Sequence, residues 1–284
     1  MFGLMAATAT LIGSALPVPD PRWITLPNGV TIRYEERGDP NADALILLHG
    51  YTDSRQSFER LTAHLPHRIR TIAIDIRGHG DSDRTDSYDI RAMADDVVRF
   101  IEARGLRRVT LVGHSMGSQV AREAARRGRA RISRLVLIGS GVTFDNEVVR
   151  GLHAELSSMG DSIDREFVEA FQRSTLHSSV PDDFLERVIE NSSAMPPAVW
   201  REVLDRILEF NDSSSLASIR VPTLLIWGAH DAIISRADQD ALLAGIPGSY
   251  LVVYRDAGHA PHWEWPAAVA AELLGFLDGE PDRP

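Results

Sequence analysis

The sequence contains no cysteine, which removes disulfides, thiolate metal centres and thiol nucleophiles from its possible chemistry. It also contains no lysine. All 30 basic side chains are arginine, so neither a Schiff base nor an amine nucleophile is available. The formal net charge is -10 and the arginines are spread among acids, so no nucleic-acid partner is expected. The one basic cluster, Arg126 to Arg131, reads as a solvated helix end. Long apolar runs are missing too. The longest candidate, Phe2 to Leu16, is shorter than the roughly 18 residues a bilayer span needs and lacks a charged leader, so no stable membrane insertion is expected. We expect residues 1–20 to be a disordered extension outside the fold or a mis-assigned start, with Met5 as the alternative start, and the protein to be cytoplasmic. The alternative is a secretion signal ending before Pro17.

What is present is an ordinary globular composition, 44% hydrophobic over 284 residues, enough for one large α/β domain with a sizeable core or for two small ones. Arg22 to Glu36 shows two alternating runs about Pro27-Asn28-Gly29, which predicts an antiparallel hairpin. Continuous apolar runs at Asp43–His49, Arg70–Asp75, Val109–Val112 and Ile132–Gly139 predict strands buried on both faces. Helical spacing appears between them, over Ser54–Leu65, Tyr88–Arg104 and Gln119–Arg127. This alternation implies βαβ units and a mostly parallel sheet.

The alternation stops after Gly141. Four helical segments follow with no strand, near Glu147–Met159, Asp164–Leu176, Pro181–Met195 and Pro197–Phe210. Strands return at Val221–Trp227 and Tyr250–Tyr254, each followed by a helix. The expected fold is therefore α/β, an eight-stranded, mostly parallel sheet flanked by helices. Residues 21–141 and 220–284 would form its core, and residues 142–219 an all-helical cap inserted before the strand that ends at Trp227.

Gly113-His114-Ser115-Met116-Gly117 sits where a predicted strand becomes a helix. Glycines two residues either side of a serine permit a sharp strand-to-helix turn that lifts the hydroxyl to a helix N-terminus. A serine hydroxyl is a poor nucleophile and needs a base, with a third group to orient the base. Asp231 lies just past one returning strand and His259 just past the next, so both should reach the same sheet edge as Ser115. His114, His230 and His262 are competitors for the base. His259 is preferred because Gly258 permits a tight turn close to the strand end. An oxyanion would need two donors, for which the backbone N–H groups of Met116 and Tyr51 are suited. Asp75 to Ser82 is glycine-rich without a phosphate-loop pattern and reads as a structural turn.

These motifs together resemble the α/β-hydrolase superfamily, in its capped form: His49-Gly50, Asp75-x-Arg77-Gly78-x-Gly80-x-Ser82, Gly113-x-Ser115-x-Gly117, Asp231, and Gly258-His259 followed by Glu264 and Pro266. The resemblance covers nearly the whole chain after the N-terminal run and implies the order serine, acid, histidine. Ser115 stands where epoxide hydrolases and haloalkane dehalogenases carry Asp. Met116 stands where prolyl peptidases of this family usually carry Trp, and His49-Gly50-Tyr51-Thr52 is not the HGGG loop frequent in lipases.

The expected activity is cofactor-free and metal-free hydrolysis of small, mainly apolar esters or lactones through an acyl-enzyme on Ser115. The alternatives are a perhydrolase, a C–C bond hydrolase, or a receptor retaining the triad. Tyr51, His114, Phe144, Phe167, Phe171, Trp200 and His262 are the expected substrate-binding side chains, and the protein is expected to be a monomer or homodimer.

Overall fold

The computed structural model describes residues 22–279, so the expected N-terminal extension lies outside the described residues. The chain opens with β1 (Arg22–Thr25) and β2 (Thr31–Arg37), an antiparallel pair. The turn between them is a three-residue loop and not a two-residue Asn-Gly turn. The Leu26 N–H donates to the Val30 carbonyl, Pro27 presets the first turn residue, and Gly29 takes φ +86°.

Six further strands follow: β3 (Ala44–Leu48), β4 (Arg70–Ile74), β5 (Val109–His114), β6 (Ile132–Ile138), β7 (Thr223–Gly228) and β8 (Ser249–Tyr254). They form one sheet of order β1-β2-β4-β3-β5-β6-β7-β8, in which β2 runs antiparallel to both neighbours and the remaining pairs are parallel. The order reverses beside β3, where β4 lies on one side and β5 on the other. A crevice opens at the carboxyl ends of strands at such a switch point. The loops after β3 and β5 meet there.

Helices cover both faces. The sheet's period-two alternation sends Ile46, Leu48, Ile72 and Ile74 to one side, against α2 (Ile90–Ala103) and α3 (Met116–Arg127). Leu45, Leu47, Val112 and Val136 face the other side, against α10 (Pro266–Asp278) and the short α1 (Glu59–Thr62), which continues a 3-10 turn at Arg55–Phe58. The segment predicted as helix over Ser54–Leu65 is therefore two short turns in succession.

Between β6 and β7 lie α4 (Glu147–Ser158), α5 (Arg165–Ser174), α6 (Asp182–Ser193) and α7 (Pro197–Glu209). Their starts are set locally. Asn146 and Asp164 accept the Val149 and Phe167 N–H groups, and prolines precede α6 and open α7. The two ends of this segment meet at a bridge between Thr143 and Asn211. Beside the bridge, the fully buried Arg122 of α3 pairs with Asp212 at 2.9 Å and donates to Ser140 Oγ at 2.7 Å and the Gly141 carbonyl at 2.9 Å. Helix α8 (Arg236–Gly245) follows β7. One helical turn that the sequence did not suggest, α9 (Pro261–Glu264), follows β8.

Candidate active site

Strand β5 runs into α3 without a loop, so Ser115 must hold both ends at once. It does so at φ 51°, ψ −119°, a conformation that costs an L-residue on the order of 1–3 kcal/mol. The flanking glycines make this possible. A Cβ on Gly113 would lie 2.3 Å from the Gly117 carbonyl oxygen, and one on Gly117 would lie 2.2 Å from that of Leu48. The absence of those atoms lets α3 start directly against the end of β3.

Ser115 Oγ donates to His259 Nε2 at 2.9 Å, and His259 Nδ1–H donates to Asp231 Oδ2 at 2.8 Å. The remaining oxygen of Asp231 accepts the Ile233 and Ile234 N–H groups, both at 2.9 Å. Three residues distant in sequence are thus joined into one hydrogen-bonded chain in which both His259 and the Asp231 carboxylate are buried.

The His259 loop is tied to the helical segment. The His259 N–H donates to the Thr175 carbonyl at 2.8 Å, and Glu264 Oε1 accepts the Gly258 N–H at 2.7 Å. Oε2 of Glu264 takes the N–H groups of His177 and Ser178, just past α5. Burial raises the Glu264 pKa, and these backbone donors oppose the shift.

The loop after β3 is held just as closely. His49 accepts the Ile76 N–H at 3.0 Å through Nε2 and is 2.8 Å from its neighbour's carbonyl through Nδ1, so it links the loops after β3 and β4. Burial lowers its pKa to about 4. Asp75 accepts the Arg55 and Asp81 N–H groups and the Arg55 guanidinium, so the glycine-rich turn is structural, as its sequence implied. Thr52 has φ 64°, an uncommon conformation for a β-branched residue, and the helical segment secures it. Gln172 of α5 donates to Thr52 Oγ1 at 3.1 Å, and Ser192 of α6 donates to the Thr52 carbonyl at 3.1 Å. Among the described residues the Tyr51 N–H has no protein acceptor, and the Met116 N–H opens α3 with none inside the helix.

Ser115 and His259 open onto a narrow, largely apolar cleft. Its wall includes Tyr51, His114, Phe144 and Phe171, together with Leu152, Leu204, Ile207, Ile233 and Trp263. Three expected side chains are not on it. Trp200 is 1% exposed and lies behind Tyr51 and Phe171, with ring centroids 5.4 and 5.7 Å away, and its carbonyl accepts the Tyr51 hydroxyl at 2.7 Å. Phe167 lines an adjoining groove that shares Val149, Leu152, Phe171 and Ile233 with the cleft. His262 is fully buried between Phe58 and His114, and burial holds its pKa well below the usual value. Helical and turn spacing shows that these residues pack inward at least in part, but not which neighbour they pack against.

The competing His230 is exposed and stacked on His177, with ring centroids 3.7 Å apart. Asp53, Gln172 and Thr175 also line the cleft and were not anticipated. A polar residue two positions beyond Tyr51 was the only available signal, and it did not distinguish Asp53 from an ordinary loop carboxylate. Among the described residues no group of three or more histidine and acidic side chains is placed to hold a metal ion.

Residues 43–266 match the family model described as alpha/beta hydrolase fold. Among curated proteins, the chain is 30% identical to a pimeloyl-(acyl-carrier protein) methyl ester esterase of Neisseria meningitidis serogroup A, over 88% of this chain and 82% of that one. Among solved structures it resembles an esterase from Exiguobacterium antarcticum, with TM-score 0.83 and 22% identity over 90% and 99% of the two chains. It also resembles the enol-lactonase from Burkholderia xenovorans LB400, with TM-score 0.79 and 22% identity over 90% and 100%. The family match spans most of the chain, and the sheet order and elbow agree with it: this chain belongs to the alpha/beta hydrolase fold family.

Proposed function

We propose that the protein is a serine hydrolase that cleaves small, mainly apolar carboxylic esters or lactones through an acyl-enzyme on Ser115. The observation that carries this reading is the hydrogen-bonded chain from Ser115 through His259 to Asp231 at the floor of an apolar cleft. The similarity to a methyl ester esterase supports the ester as the bond cleaved.

In this reading His259 Nε2 takes the Ser115 proton as Oγ attacks the ester carbonyl carbon. The Asp231 carboxylate, fixed by the Ile233 and Ile234 N–H groups, keeps the other proton on Nδ1 and stabilises the imidazolium that forms. The carbonyl oxygen becomes an oxyanion and is received by the Tyr51 and Met116 N–H groups, at the positive end of α3. Collapse breaks the carbonyl–oxygen bond of the leaving group, which departs with the proton from Nε2. A water molecule then repeats the sequence and frees the acid. The helical segment acts as the cap, contributing Phe144, Phe171, Leu204 and Ile207 to the wall.

The test is Ser115→Ala against 4-nitrophenyl butanoate. We expect a fall in kcat/KM of about three to six orders of magnitude, together with loss of fluorophosphonate labelling. Retention of most of the activity would overturn the assignment. Stoichiometric labelling of the native protein with a single turnover would instead favour a receptor.

A further inference from the structure

The cleft contains one charged side chain that this mechanism does not use. Asp53 is 4% exposed and lies on the cleft wall with Ser115 and His259. A buried carboxylate ordinarily has a cation or several donors around it. Asp53 has neither. Its nearest side-chain donor, Gln172 Nε2, carries two protons and has better acceptors in Ser192 Oγ at 2.8 Å and Thr52 Oγ1 at 3.1 Å; Asp53 Oδ1 is third, at 3.4 Å.

Its other oxygen faces His114. His114 Nε2 is 3.2 Å from the carbonyl of His259, and since a carbonyl only accepts, the proton is on Nε2. Burial, the largest influence, lowers the His114 pKa against the pull of the Asp53 carboxylate, which raises it; in the neutral ring with its proton on Nε2, Nδ1 carries a lone pair. That atom is buried without a hydrogen-bond partner and lies 3.8 Å from Asp53 Oδ2. In the neutral ring two acceptors therefore face each other across a gap, and no side chain among the described residues donates to both. The gap is kept open by Gly50, on which a Cβ would lie 2.9 Å from each of them.

We infer that Asp53 and His114 form a subsite for a hydrogen-bond-donating group on the substrate, an ammonium or hydroxyl carried near the scissile carbonyl. The rest of the wall is largely apolar, so the substrate is an amphipathic ester with one donor and an aliphatic or aromatic remainder. A carboxylate in that place would face two acceptors and is excluded. This inference rests on the ester-hydrolase reading for its substrate class, but the subsite itself is open to a binding measurement that needs no turnover.

The kinetic experiment compares 4-nitrophenyl butanoate with its 3-hydroxy and 3-amino derivatives and with the hemisuccinate. Wild type should favour the hydroxy and amino esters at least tenfold in kcat/KM over the unsubstituted ester, and disfavour the hemisuccinate by a similar factor. Asp53→Leu should abolish both ratios, and Asp53→Asn should lose the amino preference while keeping part of the hydroxy preference. Equal kcat/KM across the series in wild type, as a trapped water between the two acceptors would give, overturns the subsite whether or not either variant folds. The binding experiment is calorimetry with hexylammonium and hexanoate. Wild type should bind the cation at least tenfold more tightly, and equal or reversed affinities overturn the inference. Cation-selective binding without turnover of any ester would retain the subsite and refute the ester-hydrolase reading.

Discussion

At the scale of single residues, the site depends as much on atoms that are missing as on those that hydrogen-bond. Gly117 shows this most clearly, because its α-carbon lies where α3 meets β3 and the obstacles to a side chain are backbone carbonyls of Leu48 and His49. Backbone in a central strand cannot move aside cheaply. Gly117→Ala should therefore destabilise the fold by about 3 kcal/mol, the upper end of overpacking costs, and a guanidinium midpoint equal to wild type would refute that packing. The glycine pattern around Ser115 was legible in the sequence because it answers a local steric demand. The role of Gly50 was not, since its neighbours Asp53 and His114 meet only in the folded chain.

At the scale of elements, the helical segment holds the core as well as covering it. Its α5 and α6 secure Thr52 in the loop that presents Tyr51, and the turn after α5 accepts the His259 N–H. The segment's base is fastened by Arg122, whose guanidinium is buried with Asp212 as its ionic partner. Removing one partner of such a pair strands the other charge in a low-dielectric interior. Asp212→Ala should cost about 3–5 kcal/mol in urea unfolding, and a cost below about 1 kcal/mol, typical of an exposed pair, would mean that water reaches Arg122. The four helices were predicted to within a few residues because their caps and apolar spacing are local. Their docking partners are not encoded locally, which is why Trp200 and Phe167 were expected on the cleft wall and lie elsewhere.

At the scale of the whole molecule, buried histidines give the fold a definite pH response. An unfolded histidine takes up its proton near pH 6.5. Burial lowers the pKa to about 4 for His49 and about 3 for His79, and lowers those of His114 and His262 as well. As pH falls below 6.5, the unfolded chain therefore binds protons that the native chain refuses, and stability declines with falling pH. Each such histidine contributes up to about 1.4 kcal/mol per pH unit, and above pH 7 the effect vanishes because neither state is protonated. Between pH 6 and 5 the unfolding free energy should fall by more than about 2 kcal/mol, measured by urea titration. A decline no steeper than one proton's worth would show that these rings titrate inside the fold.

The sequence by itself determined the sheet with its alternating helices, the elbow about Ser115, and the placing of Asp231 and His259 just past strand ends. Each follows from periodicity, glycine sterics or position along the chain, which act over a few residues. Only the tertiary structure decided which side chains face the cleft. It buried Trp200 behind Tyr51, enclosed His262 between Phe58 and His114, and brought Asp53 opposite a histidine 61 positions later in the chain. Burial on a helix or turn can be read from spacing, whereas the identity of the buried neighbour depends on how distant elements dock.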